Sequence, residues 1–164
     1  MDASPEDGAP GEMPPEGAHR ILEAIGAGAL LLAMATDAIA VVGRHAGFSF
    51  LGAIELFQVF AVVATSAAIV LATLSQRHAA VHILTEYVAP PTKLWLDRAG
   101  LAAGALSFAL LSAGSLWVAG DLWDTHEMTE LLGIPLRWFR LVWIVAAGTV
   151  TVLFLHSLIR SFRR

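Results

Sequence analysis

The fold is decided by residues 51–96, which open with the run LGAIELFQVFAVVATSAAIVLATL at residues 51–74. A helix of this length crosses a bilayer, because it rises about 1.5 Å per residue and the hydrocarbon core is about 30 Å thick. The run breaks at the polar cluster Ser75-Gln76-Arg77-His78, resumes as a two-faced segment at residues 81–88, and stops at Pro90-Pro91. A further apolar run precedes this stretch, and two more follow it.

The two-faced segment differs from the long apolar runs on either side. Val81, Leu84 and Val88 follow an i, i+3, i+7 spacing, which places them on one face of a helix. Such a segment lies along a membrane surface rather than crossing it. The prolines that follow lack a backbone N–H and are expected to end it.

The composition is that of a membrane protein. The 164 residues are 57% hydrophobic and 15% charged, and the apolar residues are clumped into runs. A soluble domain is usually less apolar and more charged. The chain has no cysteine, which excludes disulfides, thiolate metal sites and cysteine catalysis. The net charge of −4 comes largely from an acidic N-terminus and one acidic loop, so it does not point to nucleic acid.

We therefore predict an all-α membrane protein with four transmembrane helices and a short interfacial amphipathic helix between the second and third. Residues 1–18 are rich in proline, glycine and acid, and we expect them to form a disordered tail. The four-helix transmembrane domain is residues 19–164, with spans at about 24–42, 51–74, 101–119 and 141–159. Gly100 and Gly104 predict a close helix approach at the third span.

Basic residues predict the orientation, because they concentrate on the cytoplasmic side of a membrane protein. One side would carry seven of them: Arg20, Arg77, Lys93, Arg98, Arg160, Arg163 and Arg164. The other side would carry Arg44, Arg137 and Arg140. Both termini are therefore expected in the cytoplasm, with residues 43–50 and 120–140 facing outward.

Asp37 and Glu55 are the only acids within the apolar runs, and both are expected near the outer face. One interpretation is an ion or proton site. The other is a structural polar contact to another helix, which for these acids includes Arg44. The second is favoured, because coupling-ion sites usually come with broken helices and these spans contain no internal proline. Whether Arg44 and Glu55 pair with each other or with a partner protein stays open.

The six histidines raise the alternative of a b-type cytochrome subunit of a membrane oxidoreductase. Axial haem ligation needs histidines on facing helices, and only His156 lies within a span. His78 and His82 have a metal-capable i, i+4 spacing without a third ligand, which favours a solvated polar face. We expect no cofactor or metal. Without a phosphate-binding glycine loop, a nucleophile elbow or facing buried carboxylates, we expect no enzyme.

Taken together, several stretches resemble the small, DctQ-like (Q-type) membrane subunit of tripartite ATP-independent periplasmic (TRAP) transporters. The resemblance covers roughly residues 24–158. Arg44-His45 follows the first span, and Glu55 falls early in the second. QRHAAVHIL at residues 76–84 is similar to the family's His-x-x-Val-Asp-hydrophobic-hydrophobic signature, and LGIPLRW at residues 132–138 is similar to its Leu-Gly-Ile-Pro-x-x-Trp motif.

Two departures accompany the resemblance. His82 stands where the family commonly has aspartate, and the fourth span lacks a second proline near its start. They suggest a divergent branch.

The resemblance implies a non-catalytic scaffold in the bacterial inner membrane. Its partners would be a large permease subunit of about twelve helices, which moves like an elevator and holds the substrate and sodium sites, and a periplasmic binding protein. The substrates would be organic acids such as C4-dicarboxylates or sialic acid. A membrane assembly factor with no transport role is a further alternative.

The candidate residues fall into two groups under this interpretation. Possible structural or partner-subunit contacts are Asp37, Arg44, Glu55 and His78. Outward acids that could dock the binding protein by complementary charge are Asp124, Glu127 and Glu130.

Overall fold

The structure is a computed structural model that describes residues 16–75 and 90–163. Within these ranges the chain is helical and forms no strand. Each of its four helices is long and apolar enough to cross a membrane. They are α1 (Glu16–His45), α2 (Ala53–Leu74), α3 (Pro90–Asp121) and α4 (Leu136–Phe162).

The helices extend the predicted spans at most ends. α1 begins at Glu16, so residues 16–18 of the predicted tail are helical, and α3 begins at Pro90, well before the third predicted span. A helix can continue past the apolar run, because its backbone hydrogen bonds form within the helix and do not require a surrounding membrane. Proline is tolerated in a first turn, where its missing N–H has no intrahelical partner to lose. α2 begins at Ala53, just inside its predicted span.

The predicted interfacial helix at residues 81–88 lies outside the described residues, as do His78, His82 and residues 1–15 of the tail. The all-helical architecture with four helices able to span a membrane is confirmed within the described ranges. The interfacial helix stays a prediction.

The helices pack in an open row. α1 packs on α2, α2 on α4, and α4 on α3. In the described ranges no Cα of α1 approaches α3 or α4 within 8 Å, and none of α2 approaches α3. The row therefore leaves much of each helix surface for lipid or for another protein, and many large apolar side chains are exposed, such as Leu31, Leu110 and Val152.

The core of the row is centred on α4. Val150 is completely buried and clusters with Phe154 of α4, Val70 of α2 and Ala105 of α3. A Cβ built on Gly104 would lie 2.7 Å from the Phe154 ring. The close helix approach predicted at the third span is therefore found at Gly104, and the helix that approaches is α4 of the same chain.

Candidate functional site

The site is built around Glu55, the third residue of α2. This side chain is buried, with 8% of its surface exposed. Its Oε1 accepts the backbone N–H of Leu131 at 2.7 Å, and its Oε2 accepts that of Leu132 at 2.8 Å. Because the acceptor carries charge, these bonds are stronger than those between neutral groups. They attach the loop between α3 and α4 to the start of α2.

The loop is shaped to present those N–H groups. The backbones of Thr129 and Ile134 pair, with the Thr129 N–H donating to the Ile134 carbonyl at 3.0 Å, and the Gly133 N–H donates to the Thr129 carbonyl at 3.1 Å. Gly133 has a φ of 63°, a left-handed conformation that glycine adopts without strain. The resulting turn directs successive N–H groups toward one anion, as in a backbone nest.

Thr129 joins the turn to the carboxylate. Its Oγ1 accepts the backbone N–H of Ile134 at 3.0 Å, and both this side chain and the Glu130 backbone lie close to the Glu55 carboxylate. We call this arrangement, formed by Glu55 with residues 129–134, the Glu55 clamp.

Packing reinforces the clamp at the residue before α2. A Cβ built on Gly52 would lie 2.9 Å from Cδ2 of Leu132, so a side chain at this position would require the leucine to shift. The other part of the loop is tied to α4. Glu127 forms an ion pair with Arg140, and its carbonyl accepts the Leu136 N–H at 3.1 Å. The loop is thus fixed to α2 and to α4.

The candidate contact residues separate in the structure. Glu55 pairs with loop backbone rather than with Arg44, which lies exposed in the last turn of α1. Asp37 is exposed on α1, and neither Asp37 nor Arg44 has an ion-pair partner among the described residues. Of these four candidate contact residues, Glu55 is the one with hydrogen-bond partners among the described residues. His78 lies outside the described residues.

The three outward acids also differ from one another. Asp124 and Glu130 are exposed and have no ion-pair partner in the described ranges, whereas Glu127 is engaged by Arg140. Exposed Trp123 precedes the first of these acids in the sequence, and exposed Leu131 follows the last. The loop surface is therefore acidic and partly apolar.

Hydrogen bonds also connect the helices at their opposite ends, where α1 and α3 begin and α2 and α4 end. Arg98 of α3 donates from Nη2 to the Ser161 carbonyl at 2.8 Å and from Nε to Ser161 Oγ at 3.3 Å, and its guanidinium lies 4.5 Å from the Phe162 ring centroid. His19 lies 3.1 Å from Ser75 Oγ through Nε2 and 3.2 Å from a Glu23 carboxylate oxygen through Nδ1. These contacts link α3 to α4 and α1 to α2.

The described histidines do not form a haem site. Both ring nitrogens of His19 are engaged, His45 contacts the carbonyl of Val41, and His156 is exposed on α4. In residues 16–75 and 90–163, no three His, Asp or Glu side chains come together as metal ligands. This arrangement does not favour the cytochrome alternative.

Several residues of the clamp were not predicted from the sequence. The residue types at positions 131 and 132 do not reveal that their backbone N–H groups bind a carboxylate, because almost every residue carries such a group. The glycine in LGIP was a usable signal for a turn. The packing of Leu132 against Gly52 had no comparable signal.

In the described ranges, four long apolar helices define a small helical membrane protein, and the loop between α3 and α4 is attached to the starts of α2 and α4. A family model described as "Tripartite ATP-independent periplasmic transporters, DctQ component" matches residues 33–164. The chain belongs to this family and is a small membrane component of a TRAP transporter, as the resemblance predicted. The match covers the last 13 of the 30 residues of α1, all of α2 to α4, and the Glu55 clamp. Comparison with curated proteins and with solved structures found no match.

Proposed function

We propose that this chain is the fixed scaffold of its transporter. It would support a large elevator-type permease subunit that takes up organic acids, such as C4-dicarboxylates or sialic acid, with sodium. The observation that carries the proposal is the Glu55 clamp, in which an acid at the end of a membrane helix is used entirely to hold a loop. An acid used in this way does not need to bind a cargo.

Rigidity is what a scaffold requires, and contacts at both ends of the helix row supply it. The clamp and the Glu127–Arg140 pair fasten the loop to α2 and α4. Arg98 fastens the start of α3 to the end of α4. Between these ends, Trp143 of α4 donates from Nε1 to Ser115 Oγ of α3 at 3.1 Å.

We place the chain in the bacterial inner membrane with both termini in the cytoplasm, as the distribution of basic residues predicts. The loop held by Glu55 would then face the periplasm, and the amphipathic segment at residues 81–88 would lie on the cytoplasmic surface. Asp124 and Glu130 would be available to a periplasmic binding protein, with the Glu127–Arg140 pair supporting the loop beneath them.

The test is reconstitution in lipid vesicles with a sodium gradient. The large permease subunit of the same transporter, its binding protein and this chain should together take up substrate. Omitting this chain should abolish or strongly reduce uptake, and this chain alone should move no solute. Uptake by the permease and binding protein without this chain, or solute movement by this chain alone, would contradict the proposal.

A further inference from the structure

The outer surface of α1 carries a polar group that the rest of the described chain does not use. α1 packs on α2 through small residues spaced three and four apart, which are Ala29, Ala33, Thr36 and Ala40, all of them buried. Gly26 continues this face, since a Cβ built there would lie 3.3 Å from Cβ of Ala67. No other described helix packs on the remaining circumference of α1.

A second stripe runs beside that buried face with the same spacing. It consists of Leu30, Met34, Asp37, Val41 and Arg44, all exposed. Alternating steps of four and three residues are the spacing of a helix–helix seam. We call these five residues the α1 stripe.

Asp37 is the informative member of the α1 stripe. It lies eight residues before His45, the last residue of α1, which is roughly 12 Å along the helix axis. Acids at such depths usually face a protein interior and pair with a cation or a hydrogen-bond donor, because a carboxylate exposed to lipid is costly. Asp37 has no such partner in the described residues.

We propose that the α1 stripe is the surface on which a transmembrane helix of the large permease subunit packs, with a basic or hydrogen-bond-donating side chain opposite Asp37. This inference rests on the proposed function, which supplies such a partner. Leu30, Met34 and Val41 would fill the apolar part of the seam. Arg44, at the outer end, would face an acidic or polar group near the membrane surface.

The negative charge of Asp37 distinguishes a helix of the permease subunit from a second copy of this chain and from lipid. Two copies of this chain in one bilayer have the same orientation, so a symmetric pair through the stripe would place Asp37 against Asp37. Like charges in a poorly solvated contact repel. Lipid acyl chains offer no donor, and a lipid phosphate would repel the carboxylate. A helix from a different protein, carrying a donor at this depth, satisfies the group.

Cross-linking tests the location of the seam directly, because the chain has no cysteine and single-cysteine variants are therefore unambiguous. Met34→Cys and Val41→Cys place a thiol on the stripe. Leu32→Cys and Ile39→Cys are matched controls, since those side chains are similarly exposed, at 50% and 54%, and lie on the opposite flank at about 100° per residue. Each variant would be coproduced with the permease subunit and treated in membranes with a thiol-reactive photocross-linker.

The stripe positions should yield an adduct of this chain with the permease subunit, and the control positions should not. Adducts only from Leu32 and Ile39, or none from the stripe, would overturn the inference. Adducts of two copies of this chain from the stripe would also overturn it. If the unmodified chain fails to capture the permease subunit at all, the proposed function itself fails, which is a separate result.

Substitutions of Asp37 test the polar contact. Asp37→Leu should leave the chain folded in detergent and lower its affinity for the permease subunit by about three- to twentyfold, the range of measured interhelical polar contacts in membranes. Asp37→Asn, which keeps an acceptor, should lose less, and Asp37→Lys should lose most. Leu32→Ala is the control and should bind as the unmodified chain does. If all three Asp37 variants bind the permease subunit as tightly as the unmodified chain does, the proposed role of Asp37 is wrong.

Discussion

Oε2 of Glu55 accepts the backbone N–H of Leu132 at 2.8 Å, although 77 residues separate them along the chain. This bond joins the start of one membrane helix to the loop that follows another. The donor is a backbone group, so no substitution at position 132 removes it, apart from proline. The relationship can therefore be tested from the carboxylate side.

Glu55→Gln should release the loop without unfolding the helices. A glutamine amide presents one oxygen and one NH2 group, so it cannot accept two N–H groups on two separate oxygens as the carboxylate does. Hydrogen exchange at the amides of Leu131 and Leu132 should rise by about tenfold or more, since bonds to charged acceptors are the stronger class. Exchange measured in lipid nanodiscs checks this.

The matched control for that experiment is Glu130→Gln, which removes an exposed carboxylate from the same loop. Its side chain has no ion-pair partner in the described ranges, so amide exchange at residues 131 and 132 should stay unchanged. Equal protection in the Glu55→Gln variant and the unmodified chain would contradict the clamp.

Gly104→Ala should destabilise the contact between α3 and α4. Its new Cβ would lie 2.7 Å from the Phe154 ring, closer than real contacts allow, and the ring belongs to the buried core. Overpacking of this kind costs about 1–3 kcal/mol. Gly114→Ala is the control in the same helix, because a Cβ there would meet nothing within 4 Å. Thermal unfolding in detergent should separate the two variants, and a melting temperature for Gly104→Ala that matched Gly114→Ala would count against close packing at this point.

Arg98→Lys should loosen the end of α4 although it preserves charge. The guanidinium donates through two nitrogens to Ser161 and lies over the Phe162 ring, a combination of contacts that a single ammonium group cannot reproduce. We expect faster amide exchange in the last turn of α4, measured as for the clamp. Arg160→Lys is the control, since Arg160 is exposed and forms no ion pair among the described residues. Similar exchange in both variants would show that charge alone is sufficient.

The four helices could be predicted from the sequence because each apolar run specifies a membrane helix without reference to its neighbours. The order in which the helices pack could not be predicted in this way. In a membrane protein, buried and lipid-facing side chains are both apolar, as buried Ala33 and exposed Leu30 on α1 illustrate. The usable signal was residue size, since the buried face of α1 consists of small residues.

The candidate site was predictable in part. Glu55 stood out as an acid within an apolar run, and a structural role was favoured for it. Its partners were beyond reach, because they are backbone donors presented by a turn whose shape depends on Gly133. The candidate pairing with Arg44 considered only side chains as partners. The donors found are backbone N–H groups, which every residue except proline carries.

Reversing Asp124 and Glu130 together should weaken productive docking of the binding protein while leaving the loop intact. Both carboxylates are exposed and lack ion-pair partners in the described ranges, so Asp124→Lys with Glu130→Lys changes the surface charge of the loop with little effect on its internal contacts. Complementary charge chiefly raises association rates and is screened by salt. Uptake by the complete reconstituted transporter should therefore fall most at low salt and approach that of the unmodified complex as salt rises.

Two further variants make the docking result specific. Glu127→Lys would break the pair with Arg140, so it should reduce uptake at low and high salt alike by disturbing the loop. Glu23→Lys makes half of that charge change near the start of α1, which the predicted orientation places in the cytoplasm, and it should leave docking unchanged. If the double reversal supports uptake equal to that of Glu23→Lys at every salt concentration, the acids of this loop do not steer the binding protein.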